Sequence, residues 1–235
     1  MTGIRLILFT SVLFFFYFLA RQPDTIEIMR CDASFYGHGR VPVKLRTPVY
    51  DSSAATPMRV AQFFRWAQSQ DTLVKNINSL PESEAVAGLE DRSLCVEGYA
   101  LAIRYDHKDG LYQKDNSLYL EMTDSPRWDT PHLIVRIPPG DAYCEARKLV
   151  WNIAHWDAAS AKENISSGMR LMRRPVRLRV TGFLYINPET KRKYDERGIS
   201  YQTKGVPNGI RRKKTEPQTQ GVWEIQPTYR VELIN

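Results

Sequence analysis

Cysteine is scarce in this chain. Three residues in 235, Cys31, Cys95 and Cys144, are too few for a small disulfide-stapled scaffold or for a zinc site of four cysteines. Histidine is nearly as scarce. His38, His107, His132 and His155 form no H-x-x-x-H pair and no partner set with a C-x-x-C. There is no G-x-S-x-G turn, no P-loop, no dinucleotide-binding glycine pattern and no repeat with a period of ~20–50 residues. These absences argue against the common serine-hydrolase, nucleotide-binding and solenoid classes, and no cofactor is expected. Long apolar runs are also missing, with one exception at the N-terminus.

That exception is residues 6–20 (LILFTSVLFFFYFLA), fifteen residues between Arg5 and Arg21. A membrane span needs about 20 apolar residues and the core of an export signal ~7–15. The length fits a signal. The cleavage site argues the other way, because a cut after Ala20 places Phe18 where a small residue is required. The aromatic run Phe14 to Phe18 suits a retained anchor. We expect residues 1–21 to act as a signal-anchor or signal peptide, with the membrane contacted through residues 4–20 and the rest of the chain beyond it. Arg21 offsets the orientation bias set by Arg5.

What the chain does have is enough apolar material for one core. Hydrophobic residues make up 43% and charged residues 25%, which excludes disorder throughout. Residues 22–92 read as linker and a helical region. Residues 41–46 alternate and suggest a short strand, confined to an edge by Pro42 and Pro48. Thr56-Pro57 should open an amphipathic helix over 57–79, with Val60, Phe63, Phe64, Ala67, Val74 and Ile77 near helical spacing and Leu80-Pro81 as the stop.

From residue 93 onward the pattern is β. Strands are expected over 95–105, with Gly98 as a bend or bulge, then over 118–122 and 132–137. A helix capped by Asp141 should follow, then strands over 176–186 and 223–233, the last interrupted by Pro227. Three strands, a helix and two strands is the plan of an OB-like five-stranded barrel. The expected fold class is therefore α+β: a membrane helix, an amphipathic helix, then an OB-like barrel over 93–235.

Several motifs in the barrel region point the same way. They are Glu97-Gly98-Tyr99, Leu118-Tyr119-Leu120, Ile134-Val135-Arg136-Ile137-Pro138, Cys144, and the run from Leu178 through Gly182 to Tyr185. Pro207-Asn208-Gly209 and Trp223-Glu224-Ile225-Gln226-Pro227 complete the set. Together they resemble a bacterial group of exported OB-like domains without an assigned biochemical role. The resemblance covers about 60% of the chain and implies an envelope location. It also has gaps. Arg136 stands where the group has glutamate, Asn187 where it has aspartate, and Gln226 where it has the closing histidine, and no histidine occurs beyond His155. Any metal or acid–base role at those positions is lost here, so the resemblance transmits fold rather than chemistry.

Charge supplies the strongest site signal. The formal net charge is +7, and the last 66 residues hold 15 Lys plus Arg against 6 acids. The excess includes Arg170, Arg173, Arg174, Arg177 and Arg179 around the fourth barrel strand. It continues as Lys191, Arg192 and Lys193, then Arg211, Arg212, Lys213 and Lys214, in an expected loop from Asn187 to Gln220. Phosphate neutralisation by these residues, with stacking on Tyr185, Tyr194, Tyr201 and Trp223, would bind an oligonucleotide or other polyanion. The plainer expectation is a solvated basic loop that contacts anionic lipid or nothing.

Other chemistry is thinner. Asp106, His107 and Asp109 share a turn and can reach a divalent ion, but such residues usually satisfy local backbone. Cys144 has no histidine partner and reads as structural. In an oxidising compartment Cys95 and Cys144 are the expected disulfide, with Cys31 left over; in the cytosol all three stay thiols. A metal-dependent nuclease would have Glu121, Glu224 and Arg177 available, though no spacing demands it. The expectation is a non-catalytic binding or scaffolding module of the cell envelope. An envelope protein or anionic ligand is its expected partner, and polyanion binding is the alternative.

Overall fold

The computed structural model describes residues 31, 35, 40–46, 57–76, 84–105, 115–127, 130–156, 169–198, 201 and 222–234. The expected anchor lies outside the described residues, as do Asp106, His107, Asp109 and Arg211 to Lys214. Among the described residues no helix is long and apolar enough to cross a membrane.

Five strands close into a barrel: β2 (Ser93–Tyr105), β3 (Leu118–Thr123), β4 (His132–Ile137), β5 (Met169–Ile186) and β6 (Trp223–Leu233). A sixth strand, β1 (Met58–Arg59), adds in parallel to Val96 and Glu97 of β2. The sheet order is β1-β2-β3-β4-β6-β5, and β5 returns to pair with β2. Four of the five barrel seams are antiparallel, and the β4–β6 seam is parallel through Ile134–Glu224 and Val135–Ile225. Successive strand residues point to opposite faces. One face collects Val96, Leu120, Met122, Leu133, Val135, Ile137, Leu178, Val180, Leu184 and Ile225, all buried. The architecture is therefore α+β around a closed five-stranded barrel.

Helices cover the barrel. α2 (Val60–Lys75) buries Val60, Phe63, Ala67 and Val74, one face at helical spacing. Its start is fixed from outside: Asp124, just past β3, accepts from the Ala61 amide at 3.1 Å and pairs with Arg59 at 2.7 Å. That satisfies a helix-end donor with no partner inside the helix. α3 (Glu84–Glu90) follows, then α4 (Cys144–Trp156) after a short 3₁₀ turn (Asp141–Tyr143). Arg147 of α4 is 1% exposed and donates to the carbonyls of Ile137 and Asn116 at 3.0 and 3.1 Å. The helix is thereby seated over the barrel end where β4 stops and β3 begins. α5 (Pro188–Arg197) ends at Gly198, which takes the left-handed conformation at φ 61°.

Local readings needed correction. Residues 41–46 are not an edge strand: Val41–Lys44 forms a one-turn helix, α1, with Pro42 in its first positions, where proline fits. Six alternating residues are too few to tell strand from turn. The expected helix over 57–79 begins at Val60, because Met58 and Arg59 are drawn into the sheet. The β2 bulge falls between Ala100 and Ala102 rather than at Gly98. Gly98 serves a close approach instead, since a Cβ there would lie 2.6 Å from both the Thr123 carbonyl oxygen and Val60 Cγ2. The 3₁₀ turn is entered from Gly140 at φ 128°, without a side-chain cap from Asp141. β6 continues through a cis Gln226–Pro227 bond, but its register with β5 breaks there, between Ile225 and Thr228.

Candidate functional site

Of the basic residues singled out by charge, Arg177, Arg179, Lys191, Arg192 and Lys193 each have an acidic partner. Residues 187–198 are not loop: Asn187 caps α5, its Oδ1 accepting from the Thr190 amide at 3.0 Å, with Pro188 in the first turn. On that helix Lys191, Arg192 and Lys193 each meet an acid one turn away. Lys191 pairs with Asp195 at 2.6 Å, Arg192 with Glu196 at 2.6 Å and Lys193 with Glu189 at 2.7 Å. The Lys193 hydrogen bond holds the Glu189 carboxyl below its usual range. Spacing of four residues on a helix was the available sequence signal, hidden because the segment reads as loop. On the barrel wall Arg177 and Arg179 both grip Glu97, at 3.1 and 2.6 Å.

Three of the four expected stacking residues are inside, and Tyr194 on α5 is half-buried. Tyr185 and Trp223 are 3% and 2% exposed. Trp223 Nε1 donates to Asp71 at 3.0 Å and its ring lies 6.1 Å from that of Trp66, so it fastens α2 to the barrel. Tyr201 is also buried and donates its hydroxyl to Asp195. The acids and arginine considered for a nuclease are each engaged separately. Glu121 Oε2 lies 3.0 Å from His132 Nδ1, Glu224 meets Arg136, and Arg177 meets Glu97 on β2. Among the described residues no cluster of three or more His, Cys, Asp or Glu is placed to hold a metal.

The notable polar assembly is elsewhere, under residues 40–46. Tyr185 of β5 is opposite Glu224 of β6, and Tyr119 of β3 is opposite Arg136 of β4. The Arg136 guanidinium lies 4.3 Å from the Tyr119 ring centre, its Nε 2.7 Å from Glu224 Oε2 and its Nη1 3.6 Å from Asp115. Asn187 Nδ2 donates to Glu224 Oε1 at 2.8 Å. The amide thus caps α5 with its oxygen and serves Glu224 with its nitrogen; an aspartate there would set a second carboxylate against Glu224. Arg136 and Asn187 therefore meet at one carboxylate.

Residues 40–46 lay three cations over this wall. Arg40 sits 5.3 Å and Lys44 5.8 Å from the Tyr185 ring centre, and Arg46 5.5 Å from that of Phe183. Arg40 also grips Glu90, whose side chain is 1% exposed, and donates to the Ile186 carbonyl at 3.0 Å. Glu90 Oε1 accepts in turn from the Ile186 amide at 2.9 Å. Arg46 donates to the Glu90 carbonyl and pairs with Asp91 at 3.1 Å. Burial draws the Lys44 ammonium below its usual pKa, with Asp115 and Glu224 opposing and Arg136 and Arg40 assisting. Burial, then the Glu224 charge, pushes the Tyr185 phenol well up. No periodicity marks this assembly, because its members come from six separate stretches of chain.

The disulfide also differs from the expected one. Cys31 is bonded to Cys144 at the start of α4, with Cα atoms 5.2 Å apart, and Cys95 remains a buried thiol. Cys95 lies in β2 opposite Thr181, which hydrogen-bonds its sulfur, and burial raises its pKa. The Gly140 amide donates to the Cys31 carbonyl at 2.7 Å, bringing the chain before α1 to the head of α4. Comparison with family models, curated proteins and solved structures finds no match.

Proposed function

We propose that this chain is a non-catalytic binding or scaffolding module of the cell envelope, built on an OB-like barrel and anchored or exported by its first 21 residues. The Cys31–Cys144 bond carries the reading. Disulfides persist in oxidising compartments and are rare in the cytosol. The apolar run of residues 6–20 between Arg5 and Arg21 supports the same location. A helix between the third and fourth barrel strands, with the fifth inserted between the third and fourth, supports the OB-like assignment and the resemblance to exported OB-like domains. The ionic groups of the described wall are committed to one another, which favours a fixed platform over a reaction centre.

Fractionation of tagged cells with alkylation before and after reduction tests this. Recovery with the membrane, with Cys31 and Cys144 labelled only after reduction, is expected. Recovery in soluble cytosol with both thiols free would overturn it.

A second reading is polyanion binding on the outer wall of β5. It is favoured by two arginines, 42% and 36% exposed, sharing the one carboxylate of Glu97. A labelled single-stranded oligonucleotide should then bind at ~50 mM salt with an affinity that falls steeply as salt rises. No binding at that salt removes this reading.

A further inference from the structure

We infer that residues 40–46 form a strap that the Cys31–Cys144 bond latches over the Tyr185–Glu224 wall, and that a dithiol reductant releases it. This concerns the folded domain itself and holds or fails independently of where the protein resides.

Three observations combine. First, the strap is attached by ion pairs and by hydrogen bonds, the latter from Tyr143 to the Arg46 carbonyl and from Arg40 and Arg46 to the carbonyls of Ile186 and Glu90. Arg40 and Arg46 hold Glu90, and Arg40 and Lys44 lie over Tyr185. Ion pairs of this kind return both partners to water when they part, so the net hold is far weaker than the contacts suggest. Second, Lys44 is 8% exposed, and burial disfavours its charged form. The strap thus carries a cation whose burial opposes its own hold, offset in part by Asp115 and Glu224. Third, eight residues separate Arg40 from Cys31, and Cys31 is fixed covalently to α4. Such a short tether limits how far the strap can move and raises the rate at which it returns.

The latch is open to reagent and the remaining thiol is not. Cys31 and Cys144 are both half-buried, whereas Cys95 is 5% exposed. One thiolate of the dithiol attacks a sulfur of the bond and displaces the other as thiolate. Its second thiol then resolves the mixed disulfide, leaving the dithiol oxidised and both cysteines reduced. Two electrons and two protons pass from the dithiol to the cysteine pair. The released wall would present the Glu90 carboxylate beside Tyr185, with Asp115 and Glu224 still held by Arg136.

Hydrogen exchange and limited trypsin digestion of the full chain in detergent micelles, with and without dithiothreitol, test the inference. The amides of Lys44 and Leu45, bonded to the Arg40 and Val41 carbonyls, should exchange at least tenfold faster after reduction. Peptides ending at Arg40, Lys44 or Arg46 should appear only then, while the Leu120 and Val135 amides stay protected. The double variant Cys31→Ser/Cys144→Ser should behave as the reduced protein does. Unchanged strap protection, a bond that resists the dithiol, or loss of barrel protection together with the strap would each overturn it. The last result would make the bond a global staple rather than a latch.

Discussion

Arg136 and Glu224 face each other across the parallel β4–β6 seam, Nε to Oε2 at 2.7 Å, with side chains 14% and 2% exposed. This pair joins the two halves of the polar wall. Arg136 extends it to Tyr119 and Asp115, and Glu224 extends it to Asn187 and Tyr185. The pair sits where β6 inserts beside β4, the one barrel seam with only two registered residue pairs. Charge therefore reinforces the place where backbone pairing is thinnest.

Removing one partner should be costly. Arg136→Met leaves the nearly buried Glu224 carboxylate with Asn187 but without its charge partner, and such losses run at about 3–5 kcal/mol. Urea unfolding should show that drop, and Arg136→Met with Glu224→Met should recover at least half of it. A single variant that loses less than about 1 kcal/mol would show that the seam does not depend on the pair.

Gln226 presents the opposite case. It is fully buried, and among the described residues neither amide atom has a hydrogen-bond partner. An unmet buried polar group costs about 1–3 kcal/mol, so Gln226→Met, similar in length and without that demand, should raise the thermal midpoint. A lower midpoint would mean that the amide is satisfied by a group that binds there in solution.

The contrast between these residues explains what was legible in the sequence. The strands from Ser93 to Leu233 announce themselves by alternation and by Pro-Gly stops, and their order points to a barrel. Near-neighbour signals fail where a segment is short or where tertiary contacts decide. Val41–Lys44 is a single turn, and Met58–Arg59 is recruited by β2. The basic run at Lys191 to Lys193 reads as a binding loop until the caps at Asn187 and Gly198 make it a helix that neutralises itself. The polar wall and the Cys31–Cys144 bond join residues far apart in sequence, so no local pattern carries them. Arg136 and Glu224 both stand out in the sequence, but in separate motifs, and nothing local pairs them.

Two glycines provide a paired test of packing. Gly98→Ala drives a methyl to 2.6 Å from the Thr123 carbonyl oxygen, which belongs to backbone and cannot swing away, and from Val60 Cγ2. Overpacking of this kind costs about 1–3 kcal/mol. Gly88→Ala, inside α3, meets nothing within 4 Å and should stabilise by about 0.5–1 kcal/mol through helix propensity. Chemical unfolding of both variants checks the pair. Equal effects would mean that the contact at the head of α2 is looser than its geometry requires.

Lys44 gives the pH dependence. Its folded-state pKa lies below the ordinary lysine value of 10.5, burial being the largest cause. The folded protein therefore sheds this proton more readily than the unfolded chain does, and between the two pKa values the unfolded chain binds more protons. Stability from this residue consequently rises with pH over that interval. Below the folded-state pKa the full cost of holding a buried ammonium is present; above the unfolded value it is gone. Other lysines and tyrosines titrate nearby, so the informative quantity is the difference between wild type and Lys44→Met. Urea midpoints measured from pH 7 to about pH 10 should show wild type gaining on the variant as pH rises. A gap that stays constant, or widens in the variant's favour, would show that Lys44 is held as a comfortable cation by Asp115 and Glu224 and exerts no outward pull on the strap.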